Sequence, residues 1–277
     1  MLYERPGTLD EALALMAGGA WHILAGGTDL YPATVRQTLP GPVLDIAALP
    51  ELRGIARTPG GWRIGAGVTW AEAVRAGLPP AFAALAEAGR EVGSVQIQNT
   101  ATVMGNLCNA SPAADGVPAL MVLDAEVELA SAAGRRRLGL PEFILGNRRT
   151  ARAPGEIAVA IHVPGAAGQG RSAFEKLGAR RYLVISIGMA AARVVVADGR
   201  IAQAALAVGA CSEVARRLPA VEAELVGQHA DAPRIDPAAV AAALDPIDDV
   251  RATAAYRREA AAEIARRAVI RACGGAP

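Results

Sequence analysis

Apolar and polar positions alternate in short segments along this chain, and most segments carry their own start and stop signals. Thr8-Leu9-Asp10-Glu11 has the Ser/Thr-x-x-Glu form of a capping box, and Leu13, Leu15 and Met16 follow at helical spacing. A short helix is therefore expected up to the Gly18-Gly19 stop. "WHILA" (21–25) reads as a strand that ends in Gly26-Gly27-Thr28-Asp29, and "PVLDIA" (42–47) and "WRIGAGV" (62–68) read as further strands. Thr69-Trp70-Ala71-Glu72 repeats the capping box, so strand, glycine turn and helix start recur. Residues 79–88 read as a helix broken at Gly89. Ser111 reads as the cap of a helix whose first residue is Pro112 and which runs through Leu120 and Leu123. "EVELA" and "RRRLGL" predict two strands, and residues 141–164 predict a short helix, a basic loop and a strand ending at Pro164.

The stretch "GAAGQG" (165–170) has no large side chain and reads as a linker, which places a domain boundary there. Beyond it, "YLVISIGMAAARVVV" and "IAQAALAVGA" flank Asp198-Gly199, a strong hairpin signal. The rest reads as helical, with Glu263 and Arg267 at pair spacing in the last helix. No repeat of solenoid period occurs. The expectation is a mixed α and β chain in two parts.

Composition narrows the function classes. With 277 residues, of which 52% are hydrophobic, the chain can bury a full core. A formal net charge of +1 gives no general field for nucleic acid or an anionic membrane, so any phosphate must be held by local donors. Cys108, Cys211 and Cys273 lack the spacing of a metal site and the even count of a disulfide framework, and read as reduced thiols. The N-terminus lacks the apolar run of a signal peptide, and no segment approaches the ~20 apolar residues of a membrane span; a soluble, cytoplasmic protein is expected. His22, His162 and His229 are scattered and suggest no catalytic set. The clusters Arg135–Arg137 and Arg148-Arg149 read as solvated loops, and Trp21, Trp62 and Trp70 as packing residues.

Two small-residue loops carry the candidate chemistry. In "ILAGGTDLYP" (23–32) a strand runs into paired glycines, which tolerate positive φ and let backbone N–H groups approach a ligand. Such a turn can cradle a phosphate, with Thr28 as a further donor; a tight strand-ending turn is the plainer reading. Asp29 opposes a simple phosphate nest and must turn toward backbone donors or a sugar hydroxyl. Gly105-Asn106 and Asn109-Ala110-Ser111 form a second loop leading into a helix N-terminus, where anions are favoured. Neither loop has the G-x-G-x-x-G spacing, and no P-loop is present.

"AGGTDL", then "TVMGNLCNASPAAD" and "GNRRTARAPGEI", and further on "SAFEKLGARRYLVISIGMAA", resemble the flavin-binding medium subunit of the molybdenum hydroxylases, the xanthine dehydrogenase and carbon monoxide dehydrogenase group. The resemblance covers nearly the whole chain. It implies an α+β fold: an FAD-binding domain of the p-cresol methylhydroxylase type over 1–166, made of two α/β subdomains with FAD between them. A C-terminal flavoprotein domain over 170–277, with a small antiparallel sheet and helices, is implied as well. In the family the first loop, here Leu24, Ala25, Gly26, Gly27, Thr28, Asp29, Leu30 and Tyr31, and the second, here Thr102, Val103, Met104, Gly105 and Asn106, hold the FAD pyrophosphate through backbone amides. Ser111 belongs to the adjoining "SPxxD" element, and Asp115, which closes it, matches the acidic residue that contacts the flavin cofactor. Val92 falls at an apolar position near the flavin ring, Ile157 lies in the "PGEI" element passing the isoalloxazine, and Lys176 is the basic residue of "FEKLGARR". A helix-capping charge for Asp115, core positions for Val92 and Ile157 and a solvated Lys176 are the structural alternatives.

The sequence departs from the pattern at Met104, where the family usually has the first of two glycines, and at Gln98, where it often has arginine. The resemblance implies an oxidoreductase subunit that carries electrons. A separate large subunit holds molybdopterin and oxidises the substrate, and a small subunit holds two [2Fe–2S] clusters that feed FAD. The assembly is implied to be a dimer of heterotrimers, with an external acceptor such as NAD, a quinone or dioxygen. Two alternatives stand beside this reading: a flavin-free scaffold subunit, motivated by Met104, and a stand-alone flavin reductase of the same fold.

Overall fold

The computed structural model describes residues 2–35, 39 and 41–276. The chain opens on a small parallel sheet of β1 (Tyr3–Glu4), β2 (His22–Leu24) and β3 (Val43–Asp45), in the order β1-β3-β2, with α1 (Leu9–Ala17) crossing between the first two. Thr8 caps α1 by accepting from the Glu11 N–H at 3.2 Å. The Glu11 carboxylate takes the Gly7 N–H instead of closing the box on Thr8. Leu9, Ala12, Leu13 and Met16 form its buried stripe.

A second sheet is antiparallel, in the order β4-β5-β10-β6-β7. It is built from β4 (Ile55–Thr58), β5 (Gly61–Gly65), β6 (Glu126–Ser131) and β7 (Gly134–Gly139), with β10 (Ile157–Pro164) at its centre. Between β5 and β6 lie α2 (Trp70–Arg75), α3 (Ala83–Glu91), α4 (Val95–Thr100), α5 (Val103–Asn109) and α6 (Gly116–Met121). After β7 come α7 (Leu140–Phe143) and the hairpin of β8 (Ile144–Gly146) and β9 (Arg149–Thr150). At α2 the predicted capping box is complete, since the Glu72 carboxylate takes the Thr69 N–H and Thr69 Oγ1 takes the Glu72 N–H.

Two helix boundaries differ from the sequence reading. The helix expected to break at Gly89 begins at Ala83 and continues through Gly89 to Glu91. A Cβ on Gly89 would lie 2.9 Å from Val74 Cγ2 and 3.0 Å from Trp70 Cε3, so this glycine marks the contact of α3 with α2. The helix expected from Pro112 starts only at Gly116, because Ser111 Oγ accepts from the Ala113 N–H and its carbonyl from the Ala114 N–H, closing a turn. The Arg135–Arg137 cluster lies on a strand, not in a loop, and its guanidiniums meet Glu128, Glu156 and Glu126.

The remaining sheet is antiparallel, with β11 (Arg171–Leu177), β12 (Gly188–Ala197), β13 (Arg200–Gly209) and β14 (Arg216–Arg217) in sequence order. Asp198 (φ 51°) and Gly199 (φ 71°) both take left-handed φ, the conformation of a type I′ hairpin turn, as the Asp-Gly pair predicts. Both faces of this sheet are buried. Phe174, Met189, Ala191, Ala205 and Ala207 join the core of the N-terminal part, whereas Ala173, Ala190, Ala192, Leu206 and Val208 meet a second core. That second core is completed by α8 (Pro219–Leu225), α9 (Pro237–Ala242) and α10 (Ala254–Ala272). Burial on both sides explains the uninterrupted apolar runs.

The strand expected from Tyr182 begins only at Gly188. Residues 178–187 leave the sheet as an excursion whose ends meet again, the Ile187 N–H donating to the Leu177 carbonyl at 2.8 Å. The linker expected at 165–170 is a packed 3-10 turn: Ala167 is buried, and a Cβ on Gly168 would lie 2.1 Å from Trp62 Cζ3. Its small residues fit a close contact with the indole instead of giving freedom.

Candidate functional site

The two small-residue stretches predicted from sequence line one cleft of about 770 Å³. On one side the chain leaves β2 and turns through Gly26 to Leu30. None of the five N–H groups from Gly26 to Leu30 donates to another described residue, and the turn closes only afterwards, when Tyr31 N–H donates to the Gly27 carbonyl at 3.1 Å. A run of unclaimed amides beside a cleft is an anion-binding arrangement. Gly26 is required by close approach, since a Cβ there would sit 2.1 Å from the Thr100 carbonyl oxygen, and Gly27 by its φ of 71°.

The second stretch is not a loop but the first turn of α5. Thr102 is its N-cap, with Oγ1 accepting from Gly105 N–H at 2.9 Å. Val103 N–H donates to the Val68 carbonyl and Asn106 N–H to the Thr102 carbonyl, which leaves Met104 N–H as the donor of that turn without a partner among the described residues. Met104 is helical and buried, so its position asks for no glycine conformation. Because Gly26 packs on Thr100 and Ala101, the residues leading into Thr102, the two sides of the cradle are in direct backbone contact.

Most of the expected site residues line this cleft: Ala25, Gly26, Gly27, Thr28, Asp29, Leu30, Val92, Thr102, Met104, Gly105, Asn106, Ser111, Asp115, Ile157 and Lys176. Leu24 and Val103 are buried in the core behind it, and Tyr31 points to solvent. Lys176 is not solvated: its Nζ donates to Asp115 Oδ2 at 2.6 Å and to the Glu91 carbonyl at 3.3 Å. Asp115 Oδ1 accepts from the Ser186 hydroxyl at 2.6 Å. Asp115 makes no helix-capping bond to α6.

Residues beyond those read from the sequence complete the walls. Arg148, in left-handed backbone (φ 54°), reaches into the lining; its Nη1 donates to Asn109 Oδ1 at 2.7 Å and its N–H to the Ala110 carbonyl. The β8–β9 hairpin is thereby tied to the end of α5. Val184 and Ile185 bring the 178–187 excursion to the same cleft.

Burial pushes the Asp29 carboxyl above its ordinary value, against the pull of the Arg148 guanidinium. It also pushes Asp115 up, with Lys176 and the Ser186 hydroxyl opposing the shift. The Cys108 thiol beside them is raised to about 11 by burial, so it is protonated at neutral pH and gives the cleft no thiolate.

The lining fits an elongated anionic cofactor with an aromatic ring. It combines unclaimed amides at 26–30, apolar contacts from Val92, Ile97 and Ile157, and the buried Asn106 Oδ1 and Trp70 Nε1, which have no partner among the described residues. The family model for the FAD binding domain in molybdopterin dehydrogenase matches residues 1–166, and that for the CO dehydrogenase flavoprotein C-terminal domain matches residues 172–272. The chain belongs to the flavoprotein family of the molybdenum hydroxylases. This flavoprotein is 30% identical to the nicotine 6-hydroxylase medium subunit of Paenarthrobacter nicotinovorans, over 98% of its own length and 96% of the relative's. It is 28% identical to the carbon monoxide dehydrogenase medium chain of Hydrogenophaga pseudoflava, over 96% and 95% of the two chains. Among solved structures it superposes on a chain of a Cu,Mo-CO dehydrogenase with a TM-score of 0.90 at 27% identity, covering 99% of this chain and 98% of that one. Quinoline 2-oxidoreductase from Pseudomonas putida 86 gives 0.87 at 27% identity, covering 100% and 98%. The expected fold and the membership of an oxidoreductase family of FAD-binding medium subunits are thereby established. No helix among the described residues is long and apolar enough to cross a membrane.

Proposed function

We propose that this flavoprotein binds FAD in the cleft between residues 24–31 and α5, and that in a heterotrimer it passes electrons from the [2Fe–2S] clusters of a small subunit to an external acceptor. The large subunit of that assembly carries molybdopterin and oxidises the substrate. The observation that carries the reading is the turn of five unclaimed amides from Gly26 to Leu30, locked by Gly26 against the backbone that starts α5. Those N–H groups, with Met104 N–H, would take the diphosphate oxygens. Val92, Ile97 and Ile157 would shield a flavin ring from water, and the Lys176–Asp115 pair would supply the charge facing it. FAD supplies the redox chemistry when bound. The same reading assigns 1–166 to the FAD domain and 170–277 to the C-terminal flavoprotein domain, and places a dimer of heterotrimers in the cytoplasm.

Co-purification from the native source with cofactor analysis tests it. The expected preparation contains large and small partners, molybdenum, iron and about one FAD per copy of this chain. A chain that stays colourless after incubation with FAD refutes the flavin assignment and leaves a scaffold subunit. A yellow chain that purifies without partners refutes the heterotrimer and leaves a stand-alone reductase.

A further inference from the structure

The carboxylate of Asp115 is buried and has a donor on each oxygen. Lys176 Nζ lies 2.6 Å from Oδ2, and the Ser186 hydroxyl lies 2.6 Å from Oδ1. Both are charge-assisted lengths. Ser186 is 2% exposed and lies 71 residues from Asp115, on the excursion between β11 and β12. Its position is set from behind: Ile187 N–H is bound to the Leu177 carbonyl, and the Ile187 carbonyl accepts from the buried guanidinium of Arg257 on α10. Arg257 Nη1 also donates to the Ala210 carbonyl at 2.9 Å, so the segment end is braced against β11, α10 and the residue that follows β13. Asp115, Lys176 and Glu91 line the cleft, whereas Ser186 does not.

We propose that Ser186 is a positioning residue of the flavin cleft: by holding Asp115 Oδ1 it keeps Lys176 paired, and so sets the charge that the bound flavin ring meets. The other titratable groups facing Asp115 are Lys176 from β11 and Glu91 from the end of α3. Of the pair's two charges, the negative one depends on Ser186. Without the hydroxyl, Oδ1 is buried with no donor, and the protonated carboxyl gains by about tenfold or more in relative population. Lys176 then stands beside the ring as an uncompensated cation, which favours the reduced flavin and raises its potential. The part that concerns flavin rests on the FAD site proposed above, and the titration of Asp115 does not.

The test uses the full chain with Ser186→Ala, Ser186→Cys and Ser186→Thr. In the flavin-free chain, side-chain carboxyl NMR should show the Asp115 midpoint raised by about one unit or more in Ser186→Ala, raised less in Ser186→Cys and restored in Ser186→Thr. In the FAD-loaded complex, the flavin midpoint potential should rise in the same order. An Asp115 titration unchanged in Ser186→Ala overturns the proposal, as does a Ser186→Thr variant shifted as far as Ser186→Ala. If Ser186→Ala does not fold, a Ser186→Cys titration identical to wild type overturns it. Shifted titrations with an unmoved potential overturn the flavin half, and a wild-type chain without flavin refutes the FAD site while the titration still decides the role of Ser186.

Discussion

Gly26→Ala tests the cradle at its tightest point. The added Cβ would lie 2.1 Å from the Thr100 oxygen, 2.7 Å from the Thr100 carbon and 3.0 Å from Ala101 Cα. All three are backbone atoms, so no rotamer change relieves the contact. Non-bonded heavy atoms settle at roughly 3.5–4.0 Å, so the turn must retreat by on the order of 1 Å. Overpacking of this kind costs about 1–3 kcal/mol, or a fall in Tm of roughly 2–5 °C for a chain of this size. The larger effect falls on the ligand. A 1 Å retreat of the turn from α5 breaks the simultaneous approach of both sides to a diphosphate, and losing two hydrogen bonds to a charged group at about 1.5 kcal/mol each weakens FAD by roughly 100-fold.

The assay is FAD titration of the apoprotein by flavin fluorescence, paired with thermal melts with and without FAD. Wild type should gain stability with excess FAD by mass action, and Gly26→Ala should gain little. Gly27→Ala serves as the comparison. There the φ of 71° costs about 1–2 kcal/mol, but the nearest atom is Tyr31 Cε2 at 2.5 Å, on an exposed side chain that can swing away. A Gly26→Ala chain with wild-type affinity, or one that binds FAD better than Gly27→Ala, would refute the argument from contact.

Other expectations concern positions away from that contact. Met104→Gly removes a buried side chain from α5 and adds a helical glycine, for a combined loss of about 3 kcal/mol or more, yet keeps the residue 104 amide. Its melt should drop while FAD affinity stays within about threefold, and a large gain in affinity would mean that the turn needs a glycine after all. The Asp249 carboxyl is held near 2: burial pushes it up, but the Arg251 N–H, the Arg257 guanidinium, the Ala252 N–H and the Arg251 side chain together prevail. A depressed carboxyl contributes stability above its unfolded value of 3.8 and loses it as pH falls toward 2. Asp249→Asn should therefore melt below wild type at neutral pH, with the gap closing across that window; a gap independent of pH would contradict the pairing.

Short-range chemistry was legible in the sequence. Thr8 and Thr69 start helices because the acceptor and the N–H it takes lie three residues apart, and Asp198-Gly199 turns because both residues accept positive φ. Gly26-Gly27 was legible as a tight strand-ending turn for the same local reason. The glycine and amide residues of 105–109 point to a loop, but the segment is helical, because Thr102 supplies a cap and Val103, Met104 and Leu107 supply a buried stripe. Tertiary contact decided the remainder. Nothing local keeps 182–187 out of a strand; Asp115 and Arg257, each about 70 residues away, do so by claiming Ser186 and the Ile187 carbonyl. Asp115 and Lys176 were found through family resemblance, since no spacing rule connects residues 61 apart.

The glycine-rich turn at 165–168 separates sheets without separating cores. On the C-terminal side Phe174, Met189, Ala191, Ala205 and Ala207 pack into the N-terminal core, and the alternate residues pack on α10. Polar ties cross the same junction: the Ala84 N–H donates to Ser172 Oγ at 2.8 Å, and the Phe174 N–H donates to the Glu87 carboxylate, which also binds Arg271 of α10. Lys176, Val184 and Ile185 belong to the C-terminal part and line the cleft directly. Strand β11 therefore carries one buried face toward α10 and delivers a charge to the cleft. Through Arg257 and Arg271, α10 fixes both ends of the segment from Phe174 to Ile187 on which that charge and its Ser186 anchor sit. Lys176 and its Ser186-held partner are thus braced from α10, whereas the amide cradle around Gly26 is braced on the backbone of Thr100 and Ala101.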